Sequence, residues 1–140
     1  MVKVFDWKEE YSVGVREIDA QHQELVAILN ELNGALLKAK GAEISGPIIA
    51  RLAEYAARHF ADEERLLKKY AYPEERQHKA EHDSFLARLG KFRKEYERGN
   101  KLVAVDLMQF VKQWFVDHLQ TTDYRYASFL KEQRLEGQRK

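Results

Sequence analysis

The chain contains no cysteine, which excludes disulfides, iron–sulfur clusters, thiolate-bound haem, zinc ribbons and cysteine nucleophiles; any metal must be held by nitrogen and oxygen. Net charge is nearly absent as well. With 24 basic and 23 acidic residues there is no strong field to draw in nucleic acid or an anionic membrane. No apolar run nears the ~20 residues that a membrane-spanning helix needs, so no membrane insertion is expected. The opening stretch from Met1 to Val15 carries Lys3, Asp6, Lys8, Glu9 and Glu10, where a signal peptide would need an unbroken apolar core. The expectation is a cytoplasmic protein whose mature chain is the chain shown. Proline is scarce: Pro47 and Pro73 are the two copies, and each falls where a helix could begin.

What is present is helical patterning. A chain of 140 residues with 44% hydrophobic content suits a single domain spanning 1–140 around one core. After an irregular arm over 1–17 with Phe5, Trp7 and Tyr11, the three-and-four spacing of Ile18, His22, Leu25, Leu29, Leu32 and Leu36 predicts a helix over about 18–39, with Asp19 as its N-cap. Ile48, Leu52, Tyr55, His59, Glu63, Leu66 and Tyr70 predict a second over 47–70. His78, His82, Phe85, Leu89 and Phe92 predict a third over 73–98, stopping at Gly99-Asn100. Leu107, Phe110, Val111, Trp114 and His118 predict a fourth over about 102–131, with a fraying polar tail beyond. The short connections favour antiparallel neighbours, hence an all-α, up-down-up-down four-helix bundle.

All five histidines, His22, His59, His78, His82 and His118, lie on the apolar stripes of these helices. One such residue is ordinarily a core histidine with a local hydrogen bond. Five are another matter, because each unpaired buried imidazole costs roughly 1–3 kcal/mol and helical backbone carbonyls are already engaged. A metal would satisfy them together. His59 with Glu63, and His78 with His82, place two ligands one turn apart on one face. Asp62 and Glu64 rotate ~100° to either side of Glu63 and read as solvent-facing charges. Asp123 lies five residues beyond His118, ~140° away on an ideal helix. On spacing alone it is either a ligand, with His118 and Asp123 straddling the inward face or brought together by a local widening such as a π-bulge, or a surface charge beside Tyr124 and Arg125.

The order Asp19-x-x-His22, His59-x-x-x-Glu63, His78-x-x-x-His82 and Trp114-x-x-x-His118-x-x-x-x-Asp123 resembles the hemerythrin family, in particular its single-domain bacterial members, over about Trp7 to Tyr126. The resemblance implies two iron ions (Fe2+/Fe3+), one held by His78, His82 and His118, the other by His22 and His59, with Glu63, Asp123 and a solvent-derived hydroxide or oxide as bridges. That count leaves one coordination position open on the two-histidine side. It also implies reversible dioxygen binding for oxygen storage, transport or delivery to an oxygen-consuming enzyme. Leu25, Phe60, Trp114 and Leu119, each a turn or a residue from a ligand, are candidates for an oxygen pocket that keeps water out, or for ordinary core.

An oxygen carrier rather than an enzyme is therefore expected, with no catalytic residues and as a monomer. The alternative is a di-iron enzyme or iron-handling protein acting on peroxide or nitric oxide, with weak oxidase or peroxidase activity. The histidine-poor, carboxylate-rich donor set of oxygen-activating di-iron enzymes, typically four carboxylates and two histidines, is missing here. Zinc or manganese would also fit these donors. Sensing is not expected, since the chain leaves no room for an output domain.

Overall fold

The computed structural model describes residues 12–100, 102–118 and 123–139; the aromatic arm residues Phe5, Trp7 and Tyr11 lie outside them. Five helical segments and no strand occur among the described residues: α1 (Arg16–Leu37), α2 (Gly41–Lys69), α3 (Glu75–Glu97), α4 (Val103–Asp117) and α5 (Tyr124–Arg139). Helices α1 to α4 pack as a four-helix bundle, with α1 against α2 and α4, and α3 against α2 and α4. The periodicity explains which faces turn inward. Ile18, His22, Leu25, Leu29 and Leu32 of α1 are all buried, whereas Leu37, off the stripe, is exposed.

Several boundaries differ from the sequence expectation for physical reasons. Helix α1 begins at Arg16, so Asp19 is not its N-cap. It sits in the first turn, and its carboxylate reaches back to accept from the Val13 N–H (2.8 Å) and the Ser12 hydroxyl (2.6 Å). A negative charge there favours the helix N-terminus just as a cap would. Helix α2 begins at Gly41, six residues before Pro47, which lies inside the helix. Pro47 forfeits a backbone N–H, but the buried Ile48 and Ile49 just beyond it hold the first turns in the core. Pro73 precedes α3, which starts at Glu75. The fourth helix is not continuous: α4 ends at Asp117, and His118 and Asp123 have π-helical geometry before α5 resumes.

Helices α1, α2 and α3 stop in the same way. The N–H of Lys40 bonds Ala35 (2.8 Å), that of Tyr72 bonds Leu67 (3.0 Å), and that of Asn100 bonds Glu95 (3.1 Å). Each is the long bond of a Schellman motif, which requires a left-handed residue just after the C-cap. Ala39 (φ 57°), Ala71 (φ 52°) and Gly99 (φ 85°) fill that place. Only Gly99 does so without steric cost.

Two apolar clusters result. The larger includes Leu25, Leu29, Leu32, Leu52, Phe60, Phe85, Leu107, Val111 and Phe115. The smaller comprises Val13, Ile18, Leu67, Tyr72, Tyr126 and Leu130. The buried His22, His59, Glu63, His78, His82, His118 and Asp123 form a polar layer that touches Phe60 and Phe115 of the larger cluster and Tyr126 of the smaller. No described helix is long and apolar enough to cross a membrane.

The end motifs yield a paired prediction. Nothing lies within 4 Å of a Cβ added at Gly99, so Gly99→Ala should cost ~1 kcal/mol for conformational reasons alone. Ala71→Gly should move stability the other way. Urea unfolding of the metal-free variants checks both signs, and a neutral Gly99→Ala would refute the strain assigned to this turn.

Candidate metal centre

Each bundle helix delivers at least one imidazole to the polar layer. His22 comes from the second turn of α1, His59 and Glu63 from one face of α2, and His78 and His82 from the first two turns of α3. His118 caps α4. Asp123 precedes α5. An i→i+5 turn takes up one residue more than an α-turn, and this brings His118 and Asp123, ~140° apart on a regular helix, into one cavity. The Asp123 carboxylate lies 3.0 Å from His118 Nε2. All seven side chains are at most 5% exposed, and Glu63 and Asp123 are fully buried.

The contacts fall into two groups that share the carboxylates. Glu63 Oε1 meets the Nε2 atoms of His78, His82 (2.9 Å) and His118 (3.9 Å), while Oε2 faces those of His59 (3.5 Å) and His22 (3.8 Å). Asp123 is divided in the same sense. Its Oδ1 faces His118 and His78 (3.4 Å), and its Oδ2 faces His22 (3.2 Å). Donor atoms of Glu63, His78, His82 and His118 lie within 4.8 Å of one another, as do those of His22, His59 and Glu63.

Electrostatics accounts for why such a layer wants a cation. Burial pushes the Glu63 carboxyl up, but its interaction with His59 and the close imidazole nitrogens of His118, His78 and His82 hold it well below the usual range. For Asp123, burial and the Glu63 charge push up, yet His118 and His22 bring it down to about 2. Burial lowers His59 to about 4, against the pull of Glu63. His118 is raised instead, because Asp123, Glu63 and Glu81 overcome its desolvation. Both carboxylates are thus ionised, and a His118 proton supplies compensating charge that a metal ion would replace.

The hydrogen-bond inventory fits a metal. Neither oxygen of Asp123 accepts a well-formed hydrogen bond, and His82 Nε2 and His118 Nε2 likewise lack one, although buried polar atoms are nearly always satisfied. These atoms converge on the shared cavity. Neutral imidazole and carboxylate donors suit iron, zinc or manganese.

The surrounding residues hold the rings in place. Phe60 stacks on His82 (centroids 3.8 Å apart), Trp114 on His118 (4.3 Å) and Tyr55 on His59 (5.4 Å). Phe115, which sequence reasoning did not single out, packs over His22 (5.8 Å). Leu25 is buried in the same cluster; Leu119 lies outside the described residues. Tyr126 donates its hydroxyl to Glu63 Oε2 (2.8 Å), and burial beside Glu63 and Asp123 raises its pKa well above normal, so the proton stays.

One sequence reading is corrected. Glu64 is not simply a solvent-facing charge, for its carboxylate meets His82 Nδ1 at 3.1 Å. Asp62 accepts from Gln21 (2.8 Å) as well as from Arg65. Gln21, Glu81 and Tyr126 were not legible as site residues. The available signal was adjacency to a ligand for Gln21 and Glu81, since a residue beside an inward-facing histidine borders the neighbouring helix.

The hemerythrin HHE cation binding domain profile matches residues 13–130. Bacteriohemerythrin of Clostridium acetobutylicum is 33% identical over 128 residues, covering 88% of this chain and 98% of that protein. Bacteriohemerythrin of Stenotrophomonas maltophilia is 29% identical over 125 residues, covering 89% and 80%. The crystal structure of a wild-type hemerythrin superposes with a TM-score of 0.77 at 28% identity, over 89% of this chain and 96% of that one.

Replacing Tyr126 by Phe removes the buried donor to Glu63 while keeping the ring. A hydrogen bond to a charged group is worth about 1.5–3 kcal/mol, so the metal-free variant should lose that much stability in urea unfolding. An unchanged midpoint and slope would count against the contact.

Proposed function

Because the chain belongs to the hemerythrin family, we propose that the buried layer holds two iron ions and binds dioxygen reversibly between cluster and protein core. In this reading His78, His82 and His118 would hold one ion, His22 and His59 would hold the other, and Glu63 and Asp123 would serve both, with a solvent-derived hydroxide or oxide completing the site. The observation that carries it is the division of both carboxylates, each with one oxygen toward the three-histidine group and the other toward the pair. Two ferrous ions, when bound, supply dioxygen with one electron each and recover them on its release.

The chain's own residues have three tasks. The imidazoles bind through Nε2 as neutral donors, and the depressed pKa of His59 keeps that ring unprotonated near neutral pH. Tyr126 orients Glu63 through its retained proton. Leu25, Phe60, Trp114 and Leu119, with Phe115 over His22, exclude the water and protons that would make oxidation irreversible. The ligand site belongs on the His22–His59 side, which has one nitrogen fewer. A carrier of this kind would act as a cytoplasmic monomer and hand dioxygen to an oxygen-consuming enzyme.

The test is an optical titration of the ferrous protein with dioxygen. One dioxygen bound per iron pair, and recovery of the starting spectrum on purging, is the expected result. Irreversible oxidation, with sustained turnover of peroxide or nitric oxide, would instead assign an enzyme.

A second substitution tests the shielding role. Trp114→Ala exposes the His118 ring and should speed loss of the oxygenated form to ferric product by roughly tenfold or more, equivalent to ~1.4 kcal/mol of barrier. An unaltered autoxidation rate would remove Trp114 from that role.

A further inference from the structure

The outward-facing nitrogens of three ligand rings meet partners of different charge. His82 Nδ1 is hydrogen-bonded to the Glu64 carboxylate at 3.1 Å, and His118 Nδ1 makes a looser ion-pair contact of 3.3 Å with that of Glu81, outside hydrogen-bond geometry. His59 Nδ1 instead faces the side-chain carbonyl of Gln21 at 2.7 Å. The Gln21 amide is held by Asp62, whose charge is met by Arg65. Two rings of the three-histidine group are therefore backed by anions, whereas His59 is backed by a neutral amide.

An imidazole that donates Nδ1–H to a carboxylate has its tautomer fixed, presents its Nε2 lone pair inward and is a stronger electron donor. An amide carbonyl fixes the tautomer equally well but adds no charge. We propose that Glu64 and Glu81 are positioning residues that make His82 and His118 electron-rich ligands and so stabilise the oxidised state of the three-histidine side, while Gln21 orients His59 without doing the same for the pair. The proposal rests on the di-iron reading. It gives the protein a built-in electronic difference between its two sides, in addition to the difference in ligand number. Side-chain exposures of 23% for Glu64 and 38% for Glu81 mean that solvent screens part of the effect.

Glutamine in place of either glutamate keeps the shape and an acceptor while removing the charge. The experiment compares iron content and redox titration of the wild type, Glu64→Gln with Glu81→Gln, and Gln21→Glu, with the remote Glu95→Gln as a control for overall charge. The double variant should shift the first oxidation equilibrium about tenfold toward the ferrous form, ~59 mV upward for a one-electron couple. Gln21→Glu should shift it downward, and Glu95→Gln should leave it in place. Loss of structure alone would not move the potential in opposite directions. Nitrogen-15 spectra of the zinc-loaded wild type give an independent readout, with His82 and His118 expected to carry their protons on Nδ1.

Iron-replete variants with unmoved potentials, or zinc-bound rings protonated elsewhere, would overturn this inference alone. Wild-type protein that takes up no iron would overturn the di-iron reading and this inference with it.

Discussion

Glu63 and Asp123 lie side by side in the interior with no exposed surface, and removing each carboxylate from water costs several kcal/mol unless positive charge and hydrogen bonds replace the solvent. Much of the architecture answers that constraint. All four bundle helices send imidazole nitrogen toward these two groups, and Tyr126 adds a hydroxyl from α5. The protein's own proton on His118 compensates part of the charge. The pair of cations proposed above would compensate it more completely and would satisfy the Asp123 oxygens, which otherwise accept no well-formed hydrogen bond.

The same constraint explains the position and shape of the layer. The two apolar clusters it touches keep water from relaxing the charges, so electrostatic interactions within the layer act over a low dielectric. The aromatic rings stacked on His59, His82 and His118 restrict rotation of the ligands. Among the described residues of the site, His118 and Asp123 depart from regular α-helix, both having π-helical geometry. Without that geometry Asp123 would point away from the cavity that His118 enters.

The four-helix pattern and the five histidines could be read from sequence because helical period alone determines which side chains share a face. Glu63 could be chosen over Asp62 and Glu64 for the same reason. Asp123 could not be placed by period, since its position depends on the non-α turn after His118. Glu64, Glu81 and Gln21 were missed because their partners lie on other helices; the rotation and vertical register of packed helices decide such contacts. The early start of α2 was hidden by Pro47, whose usual place in a first turn is a preference that the buried Ile48 and Ile49 override.

The most direct measurement of the central claim is a crystal structure of the iron-loaded protein with anomalous maps recorded at the iron edge. Two peaks should lie in the polar layer, one against His78, His82 and His118 and the other against His22 and His59, with Glu63 and Asp123 in contact with both. A single peak, or two peaks that do not share the carboxylates, would contradict it.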